Sequence, residues 1–361
     1  MSFASLMGQH RGAKRRRKVK KSSNSRDLSA MSIEDRVRSL LRSKKEAAPT
    51  QHSNTNSHTS KTLALLFIII DTLHFEDIWR RWIARSSETH VHVHILVHAK
   101  HPEKVQSPWV RKHLTKTSFQ PEWGSVEITR AMITLVEESL AGCSTPSMRL
   151  CFASESCVPV VPFDNAVAAL WSTRTSWLDV KRKPRNGYNG SAQWVPIEKT
   201  SLIPVECVCK SDQWICLTRQ HAELVTTLPS LVDHNDMWQA YRKCCASDEM
   251  YFATMLACTG VLPSRRESIS TFNEDVQAQG QVSLRKMTFV EWIYPDLDDY
   301  SGSSSLADRP VIFDGLTEEL VTRAIAEGCI FARKFRGCSA DEWEQLVYST
   351  ADRKVEGTKE K

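Results

Sequence analysis

TLALLFIII (Thr62 to Ile70), HVHVHILVH (His90 to His98) and MRLCFAS (Met148 to Ser154) decide the fold. The first and third are continuous apolar runs of strand length, the pattern of strands covered on both faces. The second alternates histidine with aliphatic residues, as a strand does when its two faces differ. Between the first and second, FEDIWRRWIARS sets Phe75, Ile78, Trp79, Trp82 and Ile83 at helical spacing. Between the second and third, WGSVEITRAMITLVEESLAG puts Val126, Ile128, Ala131, Met132, Leu135 and Leu140 along a helix that stops at Gly142. Lys61 to Ser154 is therefore a β-α-β-α-β succession. That succession predicts the α/β class, with a mostly parallel central sheet flanked by helices. Ligands of such sheets bind beyond the carboxyl ends of the strands, which directs attention to HAKHP (His98 to Pro102) and SESCVPV (Ser154 to Val160). No glycine-rich phosphate loop follows these strands, which weighs against the dinucleotide and P-loop folds.

Outside this core the charge is uneven. The 361 residues carry 48 Lys and Arg against 42 Asp and Glu, a formal net charge of +6. Residues 1–60 hold 14 basic and 4 acidic side chains, a net of +10, which leaves +6 − 10 = −4 for the remainder. The first 60 residues thus read as a basic tail, disordered for want of apolar surface apart from a short helix around Ser32 to Lys45. Within it, RGAKRRRKVKK (residues 11–21) is a nuclear-import signal, a contact for nucleic acid or anionic lipid, or a solvated tail. No stretch of 18 apolar residues occurs, so no transmembrane segment is expected. The eleven cysteines form no CxxC pair, and several lie in apolar runs where a thiol packs as a small core residue.

Five blocks then follow in order: SESCVPVVPF from Ser154, KSDQWICLTRQHAELV from Lys210, SDEMYFATML from Ser247, RKMTFVEW from Arg285 and GCIFARKF from Gly328. In these blocks, over about Lys61 to Phe335, the chain resembles the core-2/I-branching β-1,6-N-acetylglucosaminyltransferases, glycosyltransferase family 14, and their plant-like branch especially. The resemblance implies a catalytic domain over residues 61–338 with a GT-A type nucleotide-sugar-binding fold, followed by a charged C-terminal tail at 339–361. It implies inverting transfer of a sugar, N-acetylglucosamine or xylose, from a UDP-sugar to a hydroxyl of a glycan or glycoprotein acceptor. No cofactor and no divalent metal are expected beyond the UDP-sugar co-substrate.

Such a displacement needs a base for the acceptor proton and neutralisation of the departing diphosphate. The resemblance assigns the base to Glu249, in the first turn of a helix that Ser247 can cap and that Tyr251, Phe252, Met255 and Leu256 anchor. Acids in a first turn also simply complement the helix dipole. The diphosphate falls to Arg309 and Lys334, with Arg333 as a substitute, and His98 stands on the donor side. Trp292 matches a tryptophan that packs on the acceptor sugar, a role that competes with core packing. Glu155, Lys210, Gln213 and Asp248 are expected to contact substrate, and Trp214 to pack structurally.

Some features point elsewhere. Ser154-Glu155-Ser156 stands where most GT-A enzymes have an Asp-x-Asp metal motif, and the literal Asp296-Leu297-Asp298 lies in a loop-like acidic stretch. His90, His92 and His94 share a strand face and could attract zinc, yet no carboxylate or cysteine joins them at fitting spacing, so a polar strand edge is expected. Ser211-Asp212 replaces the family's Gly-Ser, and the sequon Asn189-Gly190-Ser191 stands without the membrane anchor of the animal members. The compartment is therefore open between Golgi and cytoplasm. Two other readings remain: a catalytically silent carbohydrate- or UDP-binding protein of the same fold, and a nucleic-acid-associated protein steered by its tail.

Overall fold

The apolar run at Lys61 becomes the centre of the molecule. The computed structural model describes residues 60–181, 195–199, 203–227, 234–263, 274, 276–277, 279–293 and 309–359. The basic tail, the short helix at Ser32, the sequon at Asn189 and the acids Asp296 and Asp298 lie outside these residues.

Strand β1 (Lys61–Ile69) is followed by helix α1 (Glu76–Ala84), β2 (Val91–Ala99), α2 (Val126–Gly142) and β3 (Ser147–Ser154). β1 pairs in parallel with β2 on one side and β3 on the other. Leu63 to Phe67 are wholly buried because helices cover both faces of this central strand. Each buried leucine or phenylalanine among them contributes roughly 1.5–3 kcal/mol by leaving water. Ile70, at the end of the run, is exposed beyond the strand. β2 is the edge of the sheet, so His92 points to solvent while Val97 packs inward. The histidine alternation is thus an edge strand, and among the described residues no cluster of His, Cys, Asp or Glu could hold a metal ion.

Helix α2 ends at Gly142 as expected, and the glycine has a second use there. Gly142 is its last helical residue, and a Cβ there would stand 3.2 Å from Cε1 of His94. The glycine makes room for a ring of the edge strand. Thr129, Ile133 and Val136 are more deeply buried than Ile128 and Leu140, which places the core face a little around the helix from the sequence reading.

After β3 come β4 (Val158–Pro159), α3 (Phe163–Trp171), β5 (Ser176–Trp177), β6 (Val180–Lys181), β7 (Lys210–Ser211) and β8 (Cys216–Thr218). Then follow α4 (Arg219–Thr227), α5 (His234–Arg242), α6 (Asp248–Cys258), β9 (Val282–Ser283), β10 (Thr288–Val290), β11 (Trp292–Ile293) and β12 (Arg309–Pro310). The order ends with α7 (Glu318–Ala326), β13 (Phe331–Arg333) and α8 (Ala340–Lys359). The main sheet has six strands in the order β2-β1-β3-β8-β5-β9, with β8 antiparallel to both of its neighbours and the other pairings parallel. A second sheet, β10-β13-β4, lies at the carboxyl end of β3. The α/β class and the mostly parallel sheet stand as the pattern predicts.

The C-terminal segment, expected as a charged tail, is seated on the domain. Residues 340–359 are helix rather than tail, and Trp343 and Val347 are fully buried in the core. Charge dominates this segment's composition, but two large apolar side chains four residues apart suffice to seat its first turns.

Candidate active site

α6 is buried on every side, with Met250, Tyr251, Phe252, Ala253 and Leu256 all inaccessible, so its N-terminus is held rigidly beside the sheet. Ser247 occupies the N-cap position without capping through its side chain. Its hydroxyl instead shares a 2.6 Å hydrogen bond with Thr129 Oγ1 of α2, which locks the two helices together. Tyr251 adds a second tie by donating from its hydroxyl to the carbonyl of Val225 in α4, at 2.7 Å.

Strand β7 is pinned against the same helix. Thr254 Oγ1 accepts from the Cys209 amide and donates to the Cys209 carbonyl, each at 3.1 Å. This fixes Lys210, the next residue, so that its Nζ meets Glu249 Oε2 at 2.8 Å. Lys210 is 14% exposed and Glu249 21%, a partly sheltered ion pair in which the carboxylate still reaches solvent.

Asp248, beside it, is in a different state. It is 5% exposed, and its Oδ1 has no hydrogen-bond partner among the described residues. Burial first and the Glu249 charge second push its carboxyl up to about 7, while Lys210 and Arg333 pull the other way. The two adjacent acids are therefore differentiated. Asp248 holds a proton readily near neutrality, and Glu249 is the member paired to a cation.

Arg333 reaches this cluster from β13. Its guanidinium lies over the Trp214 ring at 4.5 Å, and its charge acts on both Asp248 and the Cys157 thiol. Burial pushes the Cys157 thiol up, so it is neutral. Trp214 is 7% exposed, which fits a packing role, and its ring face is the platform on which Arg333 rests. Ser154 and Ser156 share a 3.1 Å hydrogen bond in the turn after β3, with Glu155 half-buried between them. The Phe335 amide donates to Ser156 O at 3.1 Å, which brings Lys334 alongside that turn.

The ribbon of β11 and β12 carries the remaining residues. Trp292 pairs with Pro310 and Ile293 with Arg309, and the Trp292 ring is 39% exposed. Core packing of Trp292 is therefore excluded. The ribbon joins β13 where the Phe313 amide donates to the Lys334 carbonyl at 2.8 Å, so Arg309 and Lys334 belong to one connected framework. Arg309 itself is exposed.

Two further expected residues are held by local contacts. His98 is fully buried, its Nε2 accepts from the Phe119 amide at 2.9 Å, and its ring stacks on Phe119. Burial pushes its imidazole down to about 4, so it is neutral, and it braces the loop after β2. Gln213 is half-buried with Nε2 4.0 Å from Met132 Sδ. The structure thus gathers Glu249, Asp248 and Lys210 into one cluster, with Glu155 and Lys334 at the neighbouring turn. Sequence reasoning missed the coupling of Lys210 to Glu249 and the seat of Arg333 on Trp214. Trp214 was the available signal, since a tryptophan near a cleft is a natural platform for an arginine.

The sequence profile of the Core-2/I-Branching enzyme family matches residues 63–299. The chain belongs to that family. The profile covers β1 through α6 and β11, including Glu249, Lys210 and Trp292, and ends before Arg309 and Lys334. The chain is also similar to a protein named Glycosyltransferase BC10 from Oryza sativa subsp. japonica, at 27% identity over 251 residues. That similarity covers 62% of this chain and 58% of the rice protein, so the matched region spans little more than half the length of its relative.

Proposed function

We propose that this protein is a glycosyltransferase that moves a sugar, N-acetylglucosamine or xylose, from a UDP-sugar to a hydroxyl of a glycan or glycoprotein, with inversion and without a divalent metal. The observation that carries the reading is the Glu249–Lys210 pair at the buried end of α6, with Arg333 held over Trp214 beside it. Family membership and the rice relative's name support the transferase class.

In this reading the Glu249 carboxylate takes the proton from the acceptor hydroxyl as that oxygen attacks the anomeric carbon. The bond from that carbon to the diphosphate oxygen breaks, and UDP leaves with the electron pair. Lys334 and Arg309, supported by Arg333, supply the positive charge that a leaving diphosphate requires. Lys210 orients Glu249. Trp292 offers an aromatic face to the acceptor ring. Asp248, Gln213 and Glu155 are left to shape the cleft.

A transfer assay over a panel of UDP-sugars and simple glycosides tests this. Glu249→Gln is expected to lose turnover by about 10³-fold or more while binding UDP as the parent does, since only the proton transfer is removed. Equal turnover in Glu249→Gln and wild type would refute the assignment.

A further inference from the structure

The outer edge of β4 is closed by three tryptophans, which is an arrangement the catalytic reading does not use. In an extended segment, alternate residues send their carbonyls to the same side. Trp79 Nε1 donates to Cys157 O at 3.1 Å, Trp343 Nε1 to Pro159 O at 2.7 Å and Trp82 Nε1 to Val161 O at 2.9 Å. The indoles therefore take every second carbonyl along one side of residues 157–161. Pro159 faces that same side, where its missing N–H leaves nothing unpaired, because the tryptophans require acceptors alone. The other side of the segment pairs with β13: Val158 opposes Ala332, Pro159 opposes Phe331, and the Val160 amide donates to Ile330 O at 2.8 Å.

The ladder also grips β13 through packing. The Phe331 ring meets Trp79 edge-on at 5.0 Å and Trp82 at 5.9 Å. Two residues later comes Arg333, over Trp214, and then Lys334 beside the turn at Ser156. Trp79 and Trp82 come from α1, but Trp343 comes from α8, which lies beyond the family-matched residues. An edge strand two residues long would otherwise be held on one side alone.

We propose that this tryptophan ladder fixes the register and position of β4 and β13, and that Trp343 is a positioning residue for the Arg333-Lys334 segment that engages the UDP diphosphate. The inference rests on the UDP-sugar reading for its ligand but not for its geometry. α8 is then a working part of the catalytic domain.

The test uses the full chain and Trp343→Phe, which keeps an aromatic ring and deletes the N–H that Pro159 O accepts. Val321→Ala is the control, since it removes methyl groups from a fully buried site on α7 that takes no part in the ladder. Amide exchange read by mass spectrometry over residues 153–163 and 329–337 should accelerate by about tenfold in Trp343→Phe and stay within about twofold in Val321→Ala. UDP titration should show affinity weakened by about tenfold in Trp343→Phe alone. Trp79→Phe and Trp82→Phe should shift exchange in the same two segments. Unchanged exchange in Trp343→Phe, or equal acceleration in the control, overturns the ladder. Faster exchange with unaltered UDP affinity overturns the positioning role. Absence of UDP binding by the wild type overturns the UDP-sugar reading, and the exchange result still decides the ladder.

Discussion

Glu249 and Asp248 are chemically similar acids one peptide apart, and their surroundings assign them different states. Asp248 is enclosed and lacks a partner for Oδ1 among the described residues, whereas Glu249 meets Lys210 at 2.8 Å near solvent. The pH dependence follows with a definite sign. A carboxyl raised from 3.8 to about 7 costs the folded state nothing below pH 4, and stability is lost as pH rises toward 7, where the unfolded chain ionises first. Asp248→Asn should therefore be more stable than wild type at pH 8, with the gain shrinking toward pH 4 in thermal melts. The opposite slope comes from His98 and His221, whose imidazoles burial pushes down from 6.5 to about 4. Their stability is present above pH 6.5 and is lost as pH falls toward 4, so Asp248→Asn should show a steeper acid limb than wild type. At Lys210, the change to Met removes the cation that holds Glu249 and should lower kcat by on the order of tenfold with little change in UDP affinity. A kcat equal to wild type would show that the pair does not orient the base.

At the scale of elements, the C-terminal helix and the turn before β13 carry the sharpest consequences. Trp343 is fully buried and donates to Pro159 O, so Trp343→Ala should cost about 3–5 kcal/mol in urea unfolding, the range for a large core aromatic. A loss below about 1 kcal/mol would mean that α8 is a peripheral appendage. Gly328 closes α7 with φ at +75°, and a Cβ there would fall 2.6 Å from the Arg285 guanidinium, which stacks on Trp177 and donates to the Gly328 carbonyl. Gly328→Ala therefore combines left-handed backbone strain with a displaced arginine and should destabilise by about 1–3 kcal/mol in the same assay. Which elements were legible followed from their periodicity. β1, β3, α1 and α2 carry long apolar repeats and could be read directly. β4, β7 and β13 are two or three residues long, too short for any repeat, and β7 and β13 carry Lys210 and Arg333 of the candidate site.

Across the whole molecule, function was legible in blocks and obscure in geometry. SDEMYFATML pointed to Glu249 by resemblance, yet the meeting of Lys210 with Glu249 joins residues 39 positions apart through the Thr254–Cys209 bonds, which no local pattern announces. The burial of His98 was hidden from the sequence because the loop at Phe119 that folds over it lies 21 positions away. The helix at 340–359 was hidden by charge, since a core contribution of two side chains barely alters composition. Charge also divides the chain: residues 1–60 carry +10 and the remainder −4. Deleting residues 1–59 should lower the salt at which the protein elutes from heparin and leave turnover unchanged; unchanged elution would mean that the basic run takes no part in polyanion binding. No helix among the described residues is long and apolar enough to cross a membrane.

The central claim is that Glu249 drives glycosyl transfer with protein cations in place of a metal. UDP release by the 361-residue chain, followed in excess EDTA across a UDP-sugar panel, tests it most directly when wild type, Glu249→Gln and Lys334→Ala are run together. The account predicts release that persists in EDTA for the wild type, disappears in Glu249→Gln with UDP binding intact, and falls in Lys334→Ala with UDP binding weakened. Release abolished by EDTA and restored by Mn²⁺ would contradict it.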